Sequence, residues 1–238
     1  MALDKKEDNI ELKPVARIYT GFTDKFGVPR QSGLAEIPGR IVFEPEFRDV
    51  NAVREIERFS HLWLIWGFSE NKEEADRDVF RPTVRPPRLG GNTRVGVFAS
   101  RSPFRPNGLG LSVVKLESVD VDSDEAPVLC VSGADMVSGT PVYDIKPYLP
   151  YADSVPDARG GFSLSQKEGT LNVDFPEDLL LKIPEKDRDV LIRILAQDPR
   201  PQYQNDPERI YKMDYNGIKV SFTVEEEKLY VKTVEKQV

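Results

Sequence analysis

The 238-residue chain has one cysteine, Cys130, and one histidine, His61. A lone cysteine excludes an internal disulfide or a cysteine cluster and fits a reducing, cytoplasmic setting. One cysteine and one histidine make a zinc centre improbable, so no metal is expected. A Ser-His-Asp triad is excluded unless His61 is its base. No run of about 18 apolar residues occurs, which argues against a membrane-spanning helix. The opening stretch MALDKKEDNIEL lacks the apolar core of a secretory signal. Phosphate-cradling fingerprints are missing as well. There is no Walker A loop, and GLGLSVV leads into a strand where a dinucleotide fingerprint would lead into a helix. Positive charge is in the minority, with 33 Lys and Arg against 40 Asp and Glu, a net of −7. Acidity of this degree argues against nonspecific nucleic-acid binding but not against a local basic face.

Such a face is present. From Arg77 to Arg105 the chain holds Arg77, Arg81, Arg85, Arg88, Arg94, Arg101 and Arg105, no lysine, and one acid, Asp78. Pro82, Pro86, Pro87, Pro103 and Pro106 stiffen this stretch. Gly90, Gly91, Gly96, Gly108 and Gly110 are expected to let backbone approach a ligand. Rigid, arginine-rich loops suit planar anions such as carboxylate and phosphate. The alternative is that these arginines pair with the protein's own acids, few of which lie nearby in sequence.

The rest reads as mainly β with an α+β appendage: a small antiparallel β-barrel, residues 11–153, and a small helix plus three-stranded-sheet unit, residues 165–236. Short strands are expected at 11–19, 41–43, 60–68, 94–99, 111–121 (with a bulge near Leu116), 127–134 and 142–146. The apolar stretch SHLWLIWGF is expected to cross the core. Val50, Val53, Ile56 and Phe59 predict an amphipathic helix over 48–59, capped by Asp49 or Asn51. Residues 20–40 hold four glycines and two prolines and are expected to be a long ordered loop. Helices do not alternate with strands, so antiparallel closure is the natural architecture. In the appendage, a helix is expected over 185–196 after Pro184, and Asn216-Gly217 predicts a hairpin, with 228–234 adding a third strand. Cys130 in PVLCVSGA reads as a buried structural thiol. His61 reads as a hydrogen-bonded structural or pocket-lining histidine. The two tryptophans read as core.

Six stretches in order, PRQSGL (29–34), FSHLWLIWGF (59–68), RPTVRPPRLGGN (81–92), GVFASRSPFRPNGLGLS (96–112), GTPVYDIKPYLPYAD (139–153) and AQDPRPQY (196–203), resemble the TsaA-like family. Its characterised members, of the TrmO type, are S-adenosylmethionine-dependent tRNA methyltransferases that methylate N6 of threonylcarbamoyladenosine 37, beside the anticodon. The resemblance implies a dimeric β-barrel, the anticodon loop of tRNA as partner, no membrane, and a cofactor site near the subunit interface. Two departures stand out. Asn107-Gly108-Leu109-Gly110 replaces Asn-Pro-Ile-Gly, and Ser138-Gly139-Thr140-Pro141 replaces Asp-Gly-Thr-Pro, which removes a carboxylate.

For the cofactor, the resemblance points to Ser32, Gly33, Leu34, Ser69, Glu70, Arg101, Leu111 and the strand Val142, Tyr143, Asp144 and Ile145. Arg101 would pair with the cofactor's carboxylate. Methyl transfer from a sulfonium needs alignment more than a nucleophile, which suits a chain without cysteine, metal or triad. Asp144 is the candidate base, with Tyr148 and Asn107 positioning the acceptor; the bland alternatives are a salt bridge from Asp144 to Lys146 and a turn role for Asn107. Arg81, Arg85, Arg88, Arg94, Arg105, Lys146, Arg200 and Tyr203 are the candidate tRNA contacts. Phe104, Tyr148 and Tyr203 are candidate stacking platforms, with core packing as the alternative. Two other functions fit the same residues: a non-catalytic RNA-binding barrel, or a methyltransferase acting on a different nucleotide or a small molecule.

Overall fold

The computed structural model describes residues 10–68, 80–86, 89, 91–164, 170–200 and 206–236. Six strands close a barrel: β1 (Ala16–Thr20), β2 (Gly39–Phe43), β3 (His61–Gly67), β6 (Leu109–Asp120), β7 (Val128–Ser132) and β8 (Thr140–Pro147). Their order around the barrel is β1-β2-β7-β6-β3-β8, every pairing antiparallel. A two-residue ribbon, β4 (Thr83–Val84) with β5 (Val95–Gly96), stands outside it in the arginine-rich stretch. No helix among the described residues is long and apolar enough to cross a membrane.

Alternation builds the barrel. On β3, Leu62, Leu64 and Trp66 are buried while His61, Trp63 and Ile65 are half-buried on the outer face. The strand therefore does not cross the core; it forms part of the core's wall. Ile18, Ile41, Val114, Leu129 and Val142 complete the interior. The irregularity expected near Leu116 is present, as the pairing with β7 slips between Leu116 and Ser118. Cys130 is free and half-buried on β7. His61 shares a hydrogen bond with the Ser60 hydroxyl through Nδ1 at 2.9 Å.

The helix expected over 48–59 does not form. Asp49 does cap, accepting from the Asn51 amide at 2.8 Å, but only for a single 3₁₀ turn, Val50–Val53. Glu55 then takes φ 68°, which ends the helical path, and a second short turn follows at Ile56–Arg58. Three-residue spacing is as compatible with 3₁₀ turns as with an α-helix, because the 3₁₀ repeat is three. Likewise the strand expected at 94–99 is confined to β5 and passes into a 3₁₀ turn, Val97–Ala99.

After a short helix, α1 (Pro150–Asp153), the second unit begins with β9 (Asn172–Asp174) and α2 (Glu177–Leu180). Helix α3 (Glu185–Ala196) follows Pro184 as expected and buries Leu191, Ile194 and Leu195. Strands β10 (Tyr211–Tyr215), β11 (Ile218–Glu225) and β12 (Lys228–Lys236) form the predicted meander around the Asn216-Gly217 turn. The sheet has four strands rather than three, because β9 pairs parallel with β12. Its three residues, NVD, carry too short a pattern to signal a strand on their own.

The two units share a core. Phe22, Ala35 and Ile37, from the loop between β1 and β2, pack fully buried among Met213, Tyr215, Phe222 and Leu195 of the second unit. The appendage thus grips the loop that carries PRQSGL. Arg30 of that loop donates to the carbonyls of Asp198 and Arg200, at 3.3 and 3.1 Å, from the other side.

Candidate active site

One end of the barrel opens into a cleft of about 950 Å³. Its walls come from segments that folding brings together: the loop 25–31, the end of β3 at 65–68, the stretch 98–111 that includes the start of β6, and residues 135–140, which lead from β7 into β8. Arg101, Leu111, Asn107, Phe104 and Arg105, all expected at a site, line it. The Arg101 guanidinium donates to the Gln31 side-chain carbonyl. Leu111 is 54% exposed, which leaves an apolar face free at the rim.

A carboxyl that the sequence did not single out, that of Asp135, also lines the cleft. The Ser112 hydroxyl donates to it at 2.7 Å, and the Trp66 indole N–H donates to Ser112 Oγ at 3.0 Å. The Ser32 backbone amide donates to Asp135 as well. Burial pushes its carboxyl above the usual carboxylate range; these hydrogen bonds and the nearby Arg101 charge oppose the shift without cancelling it. Asp135 and Arg101 therefore present opposite charges to one cleft. That pattern matches the α-ammonium and carboxylate of an amino-acid zwitterion.

Ser32 and Gly33 contribute by fastening rather than by lining. Ser32 Oγ accepts from the Val113 amide at 3.2 Å, and the Gly33 amide donates to the Gly133 carbonyl at 3.0 Å. Gly133 has φ 84°, and a Cβ there would lie 3.3 Å from the Gly33 backbone, so the two glycines permit this contact. Leu34 lies beside this clasp, not among the cleft residues. Ser138, where the family carries aspartate, accepts from the Thr20 amide through Oγ at 3.3 Å. Its position faces the β1 end, not the cleft, and a hydroxyl oxygen meets the need there.

Several expected contacts are placed elsewhere. Val142 is fully buried in the barrel, and Tyr143, Asp144 and Ile145 are not among the cleft residues. A continuous stretch on a strand cannot line one surface, since alternate residues face opposite sides. Asp144 sits on the outer face, half-exposed, accepting from the Ile145 amide at 2.9 Å and paired with Lys146 at 3.0 Å. The ion pair with Lys146 weighed as the alternative is present, while the register sets Asp144 opposite Ile65, which lines the cleft and in turn stands opposite Leu111. Tyr148 lies past the far end of β8, against His61 and Trp63 with ring centroids 6.2 and 5.9 Å away. Arg200 is also removed from the phosphate-facing set. It is only 8% exposed and holds Asp198 through Nε and Nη2 at 2.8 and 2.9 Å. Ser69, Glu70, Arg88 and Tyr203 lie outside the described residues. Arg81, Arg85 and Arg94 line a second, adjoining cleft of about 1720 Å³, and none is ion-paired with an acid among the described residues.

Residues 17–154 match the model of the tRNA-methyltransferase O N-terminal domain, and residues 168–237 match that of the TrmO C-terminal domain. A tRNA (adenine(37)-N6)-methyltransferase from Escherichia coli K12 is 40% identical over 84% of this chain and 86% of its own length. A Pseudomonas aeruginosa relative, whose name refers to S-adenosylmethionine-dependent methyl transfer, is 42% identical over the same shares, 84% and 86%. The crystal structure of TrmO from Pseudomonas aeruginosa superposes with a TM-score of 0.75 at 31% identity, covering 95% of this chain and 99% of that one. With both domains matched in order and the fold shared along nearly the whole length, this chain belongs to the tRNA-methyltransferase O family.

Proposed function

We propose that this protein transfers the methyl group of S-adenosylmethionine to N6 of adenine 37 in tRNA, and that the adenosine it accepts carries the threonylcarbamoyl group. The observation that carries the reading is the cleft in which half-buried Asp135 lies near Arg101, next to a cleft where Arg81, Arg85 and Arg94 meet no acid among the described residues. The cofactor's methionine end is a zwitterion. Its carboxylate fits Arg101 and its ammonium fits Asp135, while the apolar rim at Leu111 suits the rest of the ligand.

The reaction moves a methyl group in line from sulfur to nitrogen. The S–C bond breaks as the N–C bond forms, S-adenosylhomocysteine departs, and the acceptor nitrogen gives up its proton to water. Alignment of donor and acceptor accounts for about 7–11 kcal/mol in well-oriented reactions, without any covalent intermediate on the protein. Asn107 lines the cleft, and in this reading its amide holds the acceptor's polar groups. Arg105 donates to the Ser100 carbonyl at 3.1 Å, which fixes its guanidinium at the same wall and leaves charge for an anionic substituent. The threonyl carboxylate is such a group.

Homodimerisation belongs to this reading. Leu111 continues onto the half-buried outer residues Ile65, Trp63 and Tyr148, an apolar strip along β6, β3 and the end of β8. Sedimentation velocity should give a dimer; a monomer at micromolar concentration would remove this element.

The test of the function is label transfer. Methyl-labelled S-adenosylmethionine and the full-length protein should label N6 of adenosine 37 in tRNA that carries the threonylcarbamoyl group, and not in tRNA that lacks it. A folded protein that binds the cofactor yet labels neither would overturn the proposal. Binding should also weaken with salt, by about 0.7 in log–log slope for each phosphate of a single-stranded loop that is neutralised. Arg81→Ala and Arg94→Ala should each lower that slope by about this amount.

A further inference from the structure

Phe80 and Phe98 form a ring pair with centroids 6.2 Å apart and planes at 25°, yet they are 56% and 72% exposed. Two phenylalanines stacked on each other in solvent are not core. Nor does a loose loop present them. Phe98 sits in the 3₁₀ turn Val97–Ala99, whose first residue, Val97, is 1% exposed. The Val97 amide donates to the Pro82 carbonyl at 2.9 Å, and Ser100 Oγ donates back to the Val97 carbonyl at 2.9 Å. The aromatic face is held outward by a turn pinned beneath it.

Phe98 and Phe104 line both clefts and so stand on the wall between them. The second cleft is also lined by Arg81, Arg85 and Arg94, without acidic partners among the described residues. Aromatic faces beside unpaired guanidinium groups suit a nucleobase and the phosphate next to it, the combination that binds single-stranded nucleic acid. A base that enters the first cleft leaves its neighbour on the strand at the dividing wall, unstacked and in need of a new surface.

We infer that the second cleft is a subsite for the nucleotide adjoining the target adenosine. Its base stacks on Phe98, with Phe80 backing the ring, and its phosphate meets Arg81, Arg85 and Arg94. The inference rests on the tRNA-methyltransferase reading and adds to it. A single flipped base is not the whole of what the protein recognises, and the flanking base contributes affinity by stacking, with little dependence on its identity.

The experiment uses the full-length protein and a threonylcarbamoylated anticodon stem-loop with 2-aminopurine on either side of adenosine 37 in turn. One of the two positions should lose fluorescence on binding as the analogue stacks. Phe98→Ala should abolish that change and raise KM for the RNA about tenfold. Phe98→Tyr, which keeps a ring, should restore both. A wild-type protein that methylates the RNA with no fluorescence change at either position, or a Phe98→Ala protein with unaltered KM, overturns the subsite while leaving the methyltransferase reading intact. Absence of any methylation by the wild type overturns both.

Discussion

Asp135→Asn is expected to weaken S-adenosylmethionine binding by two to three orders of magnitude while leaving the barrel folded. Truncating one member of a buried charge pair costs about 3–5 kcal/mol, and a factor of ten is about 1.4 kcal/mol. Asparagine keeps the volume and an oxygen for the Ser112 hydroxyl, so packing changes little. What is lost is the negative charge opposite the ligand's ammonium. Arg101→Ala, on the other side of the zwitterion, removes a more exposed charge-assisted contact, and about ten- to hundredfold is expected there. Calorimetric titration with S-adenosylmethionine and S-adenosylhomocysteine measures both. Wild-type affinity in Asp135→Asn would show that the carboxylate does not touch the cofactor.

The same residue ties binding and stability to pH with opposite signs. Burial raises the folded-state pKa of Asp135 above its ordinary 3.8. The folded protein therefore holds a proton that the unfolded chain has released. This group's contribution to stability is present below 3.8 and is lost as pH rises through the raised value. Cofactor binding runs the other way, because the ammonium needs the ionised carboxyl, so affinity grows across the same window. In Asp135→Asn both dependences should flatten. Thermal melts and titrations of the two proteins between about pH 4 and 7 test this, and parallel stability curves would show that Asp135 does not titrate as argued.

The sequence shows the barrel because β-strands write their exposure every second residue. Antiparallel closure follows from short, alternating runs without intervening helices, whereas the order of the strands around the barrel does not. Helix α3 and the Asn216-Gly217 hairpin are equally plain, since each carries both its periodicity and its terminator. The 48–59 segment misleads because its spacing is shared by two kinds of helix, and only the backbone at Glu55 decides between them. The site is legible in part. Arginine-rich, proline-stiffened loops lead to Arg101, Arg105 and Asn107, which line the cleft, because their chemistry is local. Asp135 is not legible, because what makes it unusual comes from Ser32, Ser112 and Arg101, three segments far from it in the chain. Arg200 errs in the reverse direction. Its partner Asp198 is two residues away, so a local pair hides what reads as an exposed cation in a polar loop.

Gly110→Ala is expected to disable the same site by way of Trp66, which lines the cleft with it. The sequence suggests that Gly110 lets backbone approach a ligand, but what approaches it is Trp66. The two are directly opposite on β6 and β3, and a Cβ on Gly110 would fall 2.3–2.6 Å from the indole ring. The ring cannot swing aside cheaply. It is 7% exposed, meets Phe68 edge-on at 4.5 Å, and is fixed through its N–H to Ser112. Forcing a methyl group into such a contact costs about 1–3 kcal/mol of stability. Displacing the indole also releases the Ser112 hydroxyl that steadies Asp135, so cofactor affinity should fall together with stability. Gly96→Ala is the control. Nothing lies within 4 Å of a Cβ there, and its effect should stay within about 0.5 kcal/mol. Chemical denaturation and cofactor titration of the two variants decide the matter. If Gly110→Ala proved as stable and as active as Gly96→Ala, the indole would be free to move, and the chain from Trp66 through Ser112 to Asp135 would have no part in holding the site.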